Sequence, residues 1–164
     1  MPHRGARILL IEDDDVQGEI LKALLEQQSY SVDYFLEGRG ALKALEDVDA
    51  VNKKSAEYHK LYGALALATR SFQAAEMHFE QVVKLEPDNP VPAVQLGMLL
   101  IQHDEPVEAT RGLKMLESLS TNPLVRLDAL RHLAFDAFRH TNHARALKLA
   151  EEVMAGRTVV RIGG

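Results

Sequence analysis

Four groups of residues in this chain have the types and spacing to do chemistry. Glu12-Asp13-Asp14-Asp15 sets four carboxylates directly after a short aliphatic run, and Gly38-Arg39-Gly40 stands between a strand-like and a helix-like stretch. His132, His140 and His143 approach helical spacing, and serine, histidine and aspartate all occur. Plainer readings account for each. Asp14 and Asp15 lie where carboxylates accept the free amides of a following helix and oppose its dipole. A dinucleotide-binding turn needs a third glycine, and position 43 is lysine, so Gly38-Arg39-Gly40 reads as a turn. His140 ends one predicted helix and His143 begins the next, with no carboxylate or thiol at ligand spacing beside them, which argues against zinc. No Gly-x-Ser-x-Gly or comparable strained turn presents a nucleophile. No catalytic residue emerges, and the expectation is a protein that is not an enzyme.

Composition narrows the class further. The 164 residues, 46% hydrophobic, suffice for one packed domain or two small ones. A net charge of −5 disfavours generic binding to nucleic acid or to an acidic membrane. With no cysteine there is no disulfide or thiolate chemistry, as suits a reducing compartment. Met1 to Gly5 leads into only four consecutive aliphatics, Ile8 to Ile11, too few for a signal-peptide core or a membrane span. The expected location is cytoplasmic.

The elements that would position any site fall into three parts: 1–50, 51–156 and 157–164. The middle part repeats itself. Gly63 and Gly97 stand 34 residues apart, as do Ala75 and Ala109, and Phe79 and Leu113 keep the same interval. The first copy predicts a helix from Ser55, its cap, to Arg70 and a second from Phe72 to Leu85, closed by Glu86-Pro87-Asp88-Asn89-Pro90. Small side chains at Gly63 and Ala75 let two helices approach, and Phe79 fills the wider end. The second copy runs from Val91 to His103 and, after a turn in which Pro106 suits a first helical residue, from Val107 to Leu119. A third, Leu124 to His140 and Ala144 to Ala155, puts Ala134 and Ala146 in place of the glycine and alanine, at an offset of 37. About three extra residues then fall in Ser120-Thr121-Asn122-Pro123.

This pattern resembles the tetratricopeptide repeat family, through Gly63, Ala75, Phe79 and Pro87 in the first copy and Gly97 and Ala109 in the second. The resemblance implies a mainly α fold, an α-solenoid of three stacked helical hairpins whose first helices line a groove. Family geometry carries Lys60, Val94, Met98, Ile101, Arg131, Phe135, Phe138 and Arg139 to that groove. It would be apolar in the middle and basic at one end. A peptide with apolar anchors and an acidic residue would suit it. Burial of Met98, Phe135 and Phe138 under other parts of the chain is the competing expectation.

Residues 6–47 follow a different pattern. Arg7 to Ile11 reads as a strand buried on both faces, Val16 to Gln28 as a helix with Ile20, Ala23, Leu24 and Leu25 inward, Tyr30 to Phe35 as a second strand, and Gly38 to Leu45 as a second helix. The order predicts a parallel pair. These residues look like the start of a response-regulator receiver domain of two-component signalling. There, two adjacent acids hold Mg²⁺, and the matching positions are Glu12 and Asp13. Beyond Asp47 the stretch from Val48 to Glu57 is too polar for the family's third strand, and no phosphoacceptor, switch hydroxyl or switch lysine can be assigned. A two-stranded parallel piece needs completion. The first repeat helices, a second copy (hence a homodimer through this βαβα segment) or a strand at Thr158 to Ile162 could each supply it. The function expected is a non-enzymatic adaptor that binds a protein or peptide, in bacterial signalling or assembly. The alternative is a response-regulator-like protein in which Glu12 and Asp13 bind Mg²⁺, without a phosphoacceptor.

Overall fold

The computed structural model describes residues 7–47 and 52–156. Two compact units divide the chain, Met1–Ala75 and Glu76–Gly164. Strand character expected at Thr158 to Ile162 lies outside the described residues, as do Val48 to Val51.

The first unit opens with β1 (Arg7–Ile11), α1 (Asp15–Gln27), β2 (Ser31–Phe35) and α2 (Gly38–Glu46). A single 3-10 turn at Asn52–Lys54 precedes α3 (Ala56–Ala68), and α4 (Phe72–Leu85) begins in this unit and ends in the next. The strands pair in parallel, from Arg7 opposite Ser31 to Ile11 opposite Phe35, and Arg7 forms an ion pair with Asp33. Asp14 caps α1 by accepting from the Gln17 amide at 3.0 Å, and Ser55 caps α3 by accepting from the Tyr58 amide at 3.1 Å.

Alternation along the strands puts Leu9 and Phe35 on one sheet face, where they meet Ala41, Leu42 and Leu45 of α2 and Tyr58, Tyr62 and Leu65 of α3. α2 lies on this face of the sheet and α3 packs on α2, so the helix expected to open the first repeat joins the same core without adding a strand. Tyr34 points to the opposite face and lies against Gly18 of α1, so closely that a Cβ there would fall 2.2 Å from the phenol oxygen. That contact corrects one expectation. With Gly18 buried, α1 turns its Val16, Ile20 and Leu24 stripe outward, and these are 72%, 56% and 53% exposed. Leu25 alone of the four residues expected inward is half-buried.

The second unit holds α5 (Pro90–Leu100), α6 (Pro106–Leu119), α7 (Arg126–Arg139) and α8 (His143–Ala155). α5 packs on α6 and α7 on α8, while α7 also meets α6 and α5. Their core joins Val94, Ile101, Leu116, Val125, Ala129 and Leu133. Asn89 and Asn142 cap α5 and α8, accepting from Val91 and Arg145 amides at 3.2 Å each. Pro90 and Pro106 start their helices, where the missing amide costs nothing. Arg70 and Thr141, at φ 60° and 57°, occupy the same expected position in the first and third copies, whereas Asp104, the matching residue of the second, has no positive φ.

Gly63 and Ala75 are both buried. In the second copy the close approach runs through a different pair. The nearest atoms to a Cβ on Gly97 belong to Leu116, at 2.9 Å, and Gly112, at 3.6 Å, whereas Ala109 is half-buried. Gly112 has less room still, since a Cβ there would fall 2.7 Å from the Leu100 Cβ and 2.9 Å from the Gly97 carbonyl oxygen. The link between α6 and α7, residues 120–125, is two residues longer than that between α4 and α5, residues 86–89; in it Thr121 donates to the Ser118 carbonyl and Asn122 accepts from the Leu124 amide.

Candidate functional site

α7 is a two-sided helix. Ala129, Leu130, Leu133, Asp136 and Ala137 are buried, while Asp128, Arg131, Phe135, Phe138 and Arg139 lie on the surface at helical spacing. Phe135 and Phe138 are 61% and 62% exposed, although large aromatics dominate core energetics elsewhere. The Phe138 ring lies 5.8 Å from that of His143. Arg131 is tied to Asp128 at 3.2 Å, whereas Arg139 has no ion-pair partner among the described residues. At the start of the helix, Pro123, Leu124, Leu127, Asp128, Arg131 and Val153 line a cleft of about 340 Å³. Leu124, an exposed part of that lining, follows the irregular Asn122-Pro123 link, and the repeat spacing does not single it out.

Other residues assigned to the groove go elsewhere. Val94 and Ile101 are 2% and 5% exposed in the core of the second unit, because Leu116, Val125 and Leu133 close over them. They cannot meet a partner directly. Met98 is half-buried on α5, and its carbonyl accepts from the Gln102 side chain. Lys60 is half-buried on α3 of the first unit. Arg131, Phe135, Phe138 and Arg139 are the exposed remainder. Ala134 and Ala146 are half-buried, Pro87 follows the end of α4, and Phe79 is 5% exposed.

The acidic loop is organised by its own backbone. Glu12 accepts from the Asp14 amide at 3.3 Å and from the Gln17 side-chain amide at 3.0 Å, and Asp13 is exposed. Burial raises the Tyr34 phenol above its ordinary value, and the carboxylates of Asp15, Glu19, Glu12 and Asp14 raise it further. Among the described residues no three His, Cys, Asp or Glu side chains converge on one point that could hold a metal. His140 faces its own helix, with Nδ1 3.2 Å from the largely buried Asp136 carboxylate. His132 is held below its usual imidazole value, chiefly by burial. Among the described residues no helix is long and apolar enough to cross a membrane.

The chain matches no protein-family model and no curated protein.

Proposed function

We propose that this chain is a non-enzymatic adaptor of the tetratricopeptide-like kind, working in the cytoplasm of a bacterial signalling or assembly pathway. Its working surface is the outward face of α7, which takes a peptide or helix from a protein partner. The observation that carries the reading is the pair of exposed phenylalanines, Phe135 and Phe138, on a helix whose other face is fully packed. Aromatic side chains beside arginine make the commonest anchors of protein recognition. Arg139 supplies an uncommitted cation next to Phe138, so the favoured ligand combines apolar side chains with a carboxylate. The repeat spacing and the stacking of α5 to α8 support a short solenoid as the frame.

Selection of peptides by surface display on the purified chain tests this. Enriched sequences should pair apolar and acidic residues, and a Phe138→Asp variant with unchanged far-UV circular dichroism should fail to enrich them. Selection of the same peptides by that variant would refute the assignment. The reading that Glu12 and Asp13 serve an Mg²⁺-dependent regulator lacks a supporting observation, since Glu12 already accepts from the Asp14 amide and from the Gln17 side chain on α1.

A further inference from the structure

The outward stripe of α1 and the outward face of α7 have opposite charge and similar length. Val16, Ile20 and Leu24 recur every four residues and are more than half exposed. Asp15, Glu19 and Glu26 flank them, and none of these carboxylates has an ion-pair partner among the described residues. Phe135 and Phe138 are flanked instead by Arg139 and by Arg131, the latter already paired with Asp128 on the same face. We infer that one partner of the α7 face is a second copy of this chain, whose α1 docks there, acidic rim against basic rim. The inference rests on the α7 face being a binding surface and names one occupant for it.

Spacing supports the pairing. Glu19 and Glu26 are about 10.5 Å apart along the axis and Arg131 and Arg139 about 12 Å, at the α-helical rise of 1.5 Å per residue. The near-equal spacings let both charge pairs close in either direction, and the helix ends favour the antiparallel one. That direction also sets the acid-rich start of α1, Asp13 to Asp15, beside Arg139, His140 and His143, whereas the parallel one would set it near Asp128. A two-fold pairing of α1 with α1 would bring two acidic rims together. Joining unlike faces is heterologous, so each copy keeps one face free for the next and assembly proceeds head to tail.

Sedimentation of the full-length chain across the micromolar to millimolar range tests the inference. Average mass should rise with concentration past that of a dimer, and rise less in high salt as the rim charges are screened. Ile20→Asp and Phe138→Asp, both at exposed positions, should each weaken association roughly tenfold or more. An equimolar mixture of the two variants should form a one-to-one complex that grows no further, because each retains the face the other lacks. Association of the wild type without complementation in the mixture would overturn the inference, and so would a wild type that stays monomeric throughout. In the latter case, peptides that still depend on Phe138 would leave the adaptor reading standing. Should a variant prove poorly folded, a synthetic peptide of residues 13–28 replaces it. That peptide should cap wild-type assembly, and failure to do so at saturating concentration counts against the docking.

Discussion

Replacing Gly112 with alanine gives a sharp test of the close helix approach in the second unit. The new Cβ would lie 2.7 Å from the Leu100 Cβ, 2.8 Å from the Ile101 amide nitrogen and 2.9 Å from the Gly97 carbonyl oxygen. Carbon atoms in ordinary contact sit about 3.5–4.0 Å apart, so the overlap approaches 1 Å. All three obstacles are backbone or fixed directly to it, which means that α5 and α6 must separate rather than a side chain rotate. Overpacking costs about 1–3 kcal/mol, here near the upper end. Alanine in a helix interior recovers about 1 kcal/mol over glycine. The net expectation is a loss of about 1–2 kcal/mol. Gly97→Ala is the internal comparison. Its Cβ meets mainly the Leu116 side chain, at 2.9 and 3.0 Å, which can shift at smaller cost. Thermal unfolding followed by far-UV circular dichroism should place the Gly112→Ala midpoint roughly 5–10 °C below wild type, with Gly97→Ala between them. All four tyrosines lie in the first unit and the chain has no tryptophan, so near-UV signals from tyrosine report that unit separately. A Gly112→Ala chain as stable as wild type, or less affected than Gly97→Ala, would refute the account.

Three further outcomes follow from the same structure. Ile101→Ala should cost about 2–5 kcal/mol because it empties a core site, while Phe138→Ala should change stability by no more than about 0.5 kcal/mol; equal effects in urea denaturation would mean that core and surface have been exchanged. His103 lies 2.6 Å from the Glu76 carboxylate, and that hydrogen bond raises its pKa above 6.5. Its stabilisation is therefore fully present below the unfolded value and fades as pH rises through the higher folded one, so His103→Gln should lower stability in mild acid and hardly at all in alkali. Both side chains are partly exposed, which keeps the effect small, and an NMR titration placing the His103 ring below the ordinary imidazole value would contradict the sign. In an NMR titration with Mg²⁺, shifts around Ile11 to Asp15 that vanish in Asp13→Asn would revive the regulator reading.

What could be read from sequence was what local rules dictate. β1 and α4 match their expected bounds, Arg7–Ile11 and Phe72–Leu85, because unbroken aliphatics and a proline-closed apolar face have few alternatives. The caps at Ser55 and Asp14 follow from residue type and position. Facing was harder to read. The small-residue rule correctly requires a glycine where α5 and α6 approach, yet Gly97 selects Gly112 and Leu116 rather than Ala109, since the crossing depends on helix rotation that a 34-residue interval does not specify. The groove assignment divided for the same reason. α7 keeps Phe135 and Phe138 outside, while the matching stripe of α5 turns Val94 and Ile101 into the core.

The outward stripe of α1 has a cause in the dimensions of the sheet beneath it. Two paired strands lie about 4.8 Å apart, whereas a helix with its side chains is about 10 Å across. Such a sheet can cover only part of a helix with a wide apolar face, and rotation decides which part. Tyr34 takes that decision by occupying the sheet face under α1, where only a glycine fits beside it, so Gly18 is drawn in and Leu25 follows. Val16, Ile20 and Leu24 are then left outside by geometry, although their own hydrophobicity would favour burial. Replacing Tyr34 with a smaller residue removes the wedge, lets α1 roll, and should bury Ile20 at the expense of any surface the stripe provides. Loss of self-association in Tyr34→Val, with hydrogen exchange at Ile20 slowed, would tie the docking stripe to that single ring.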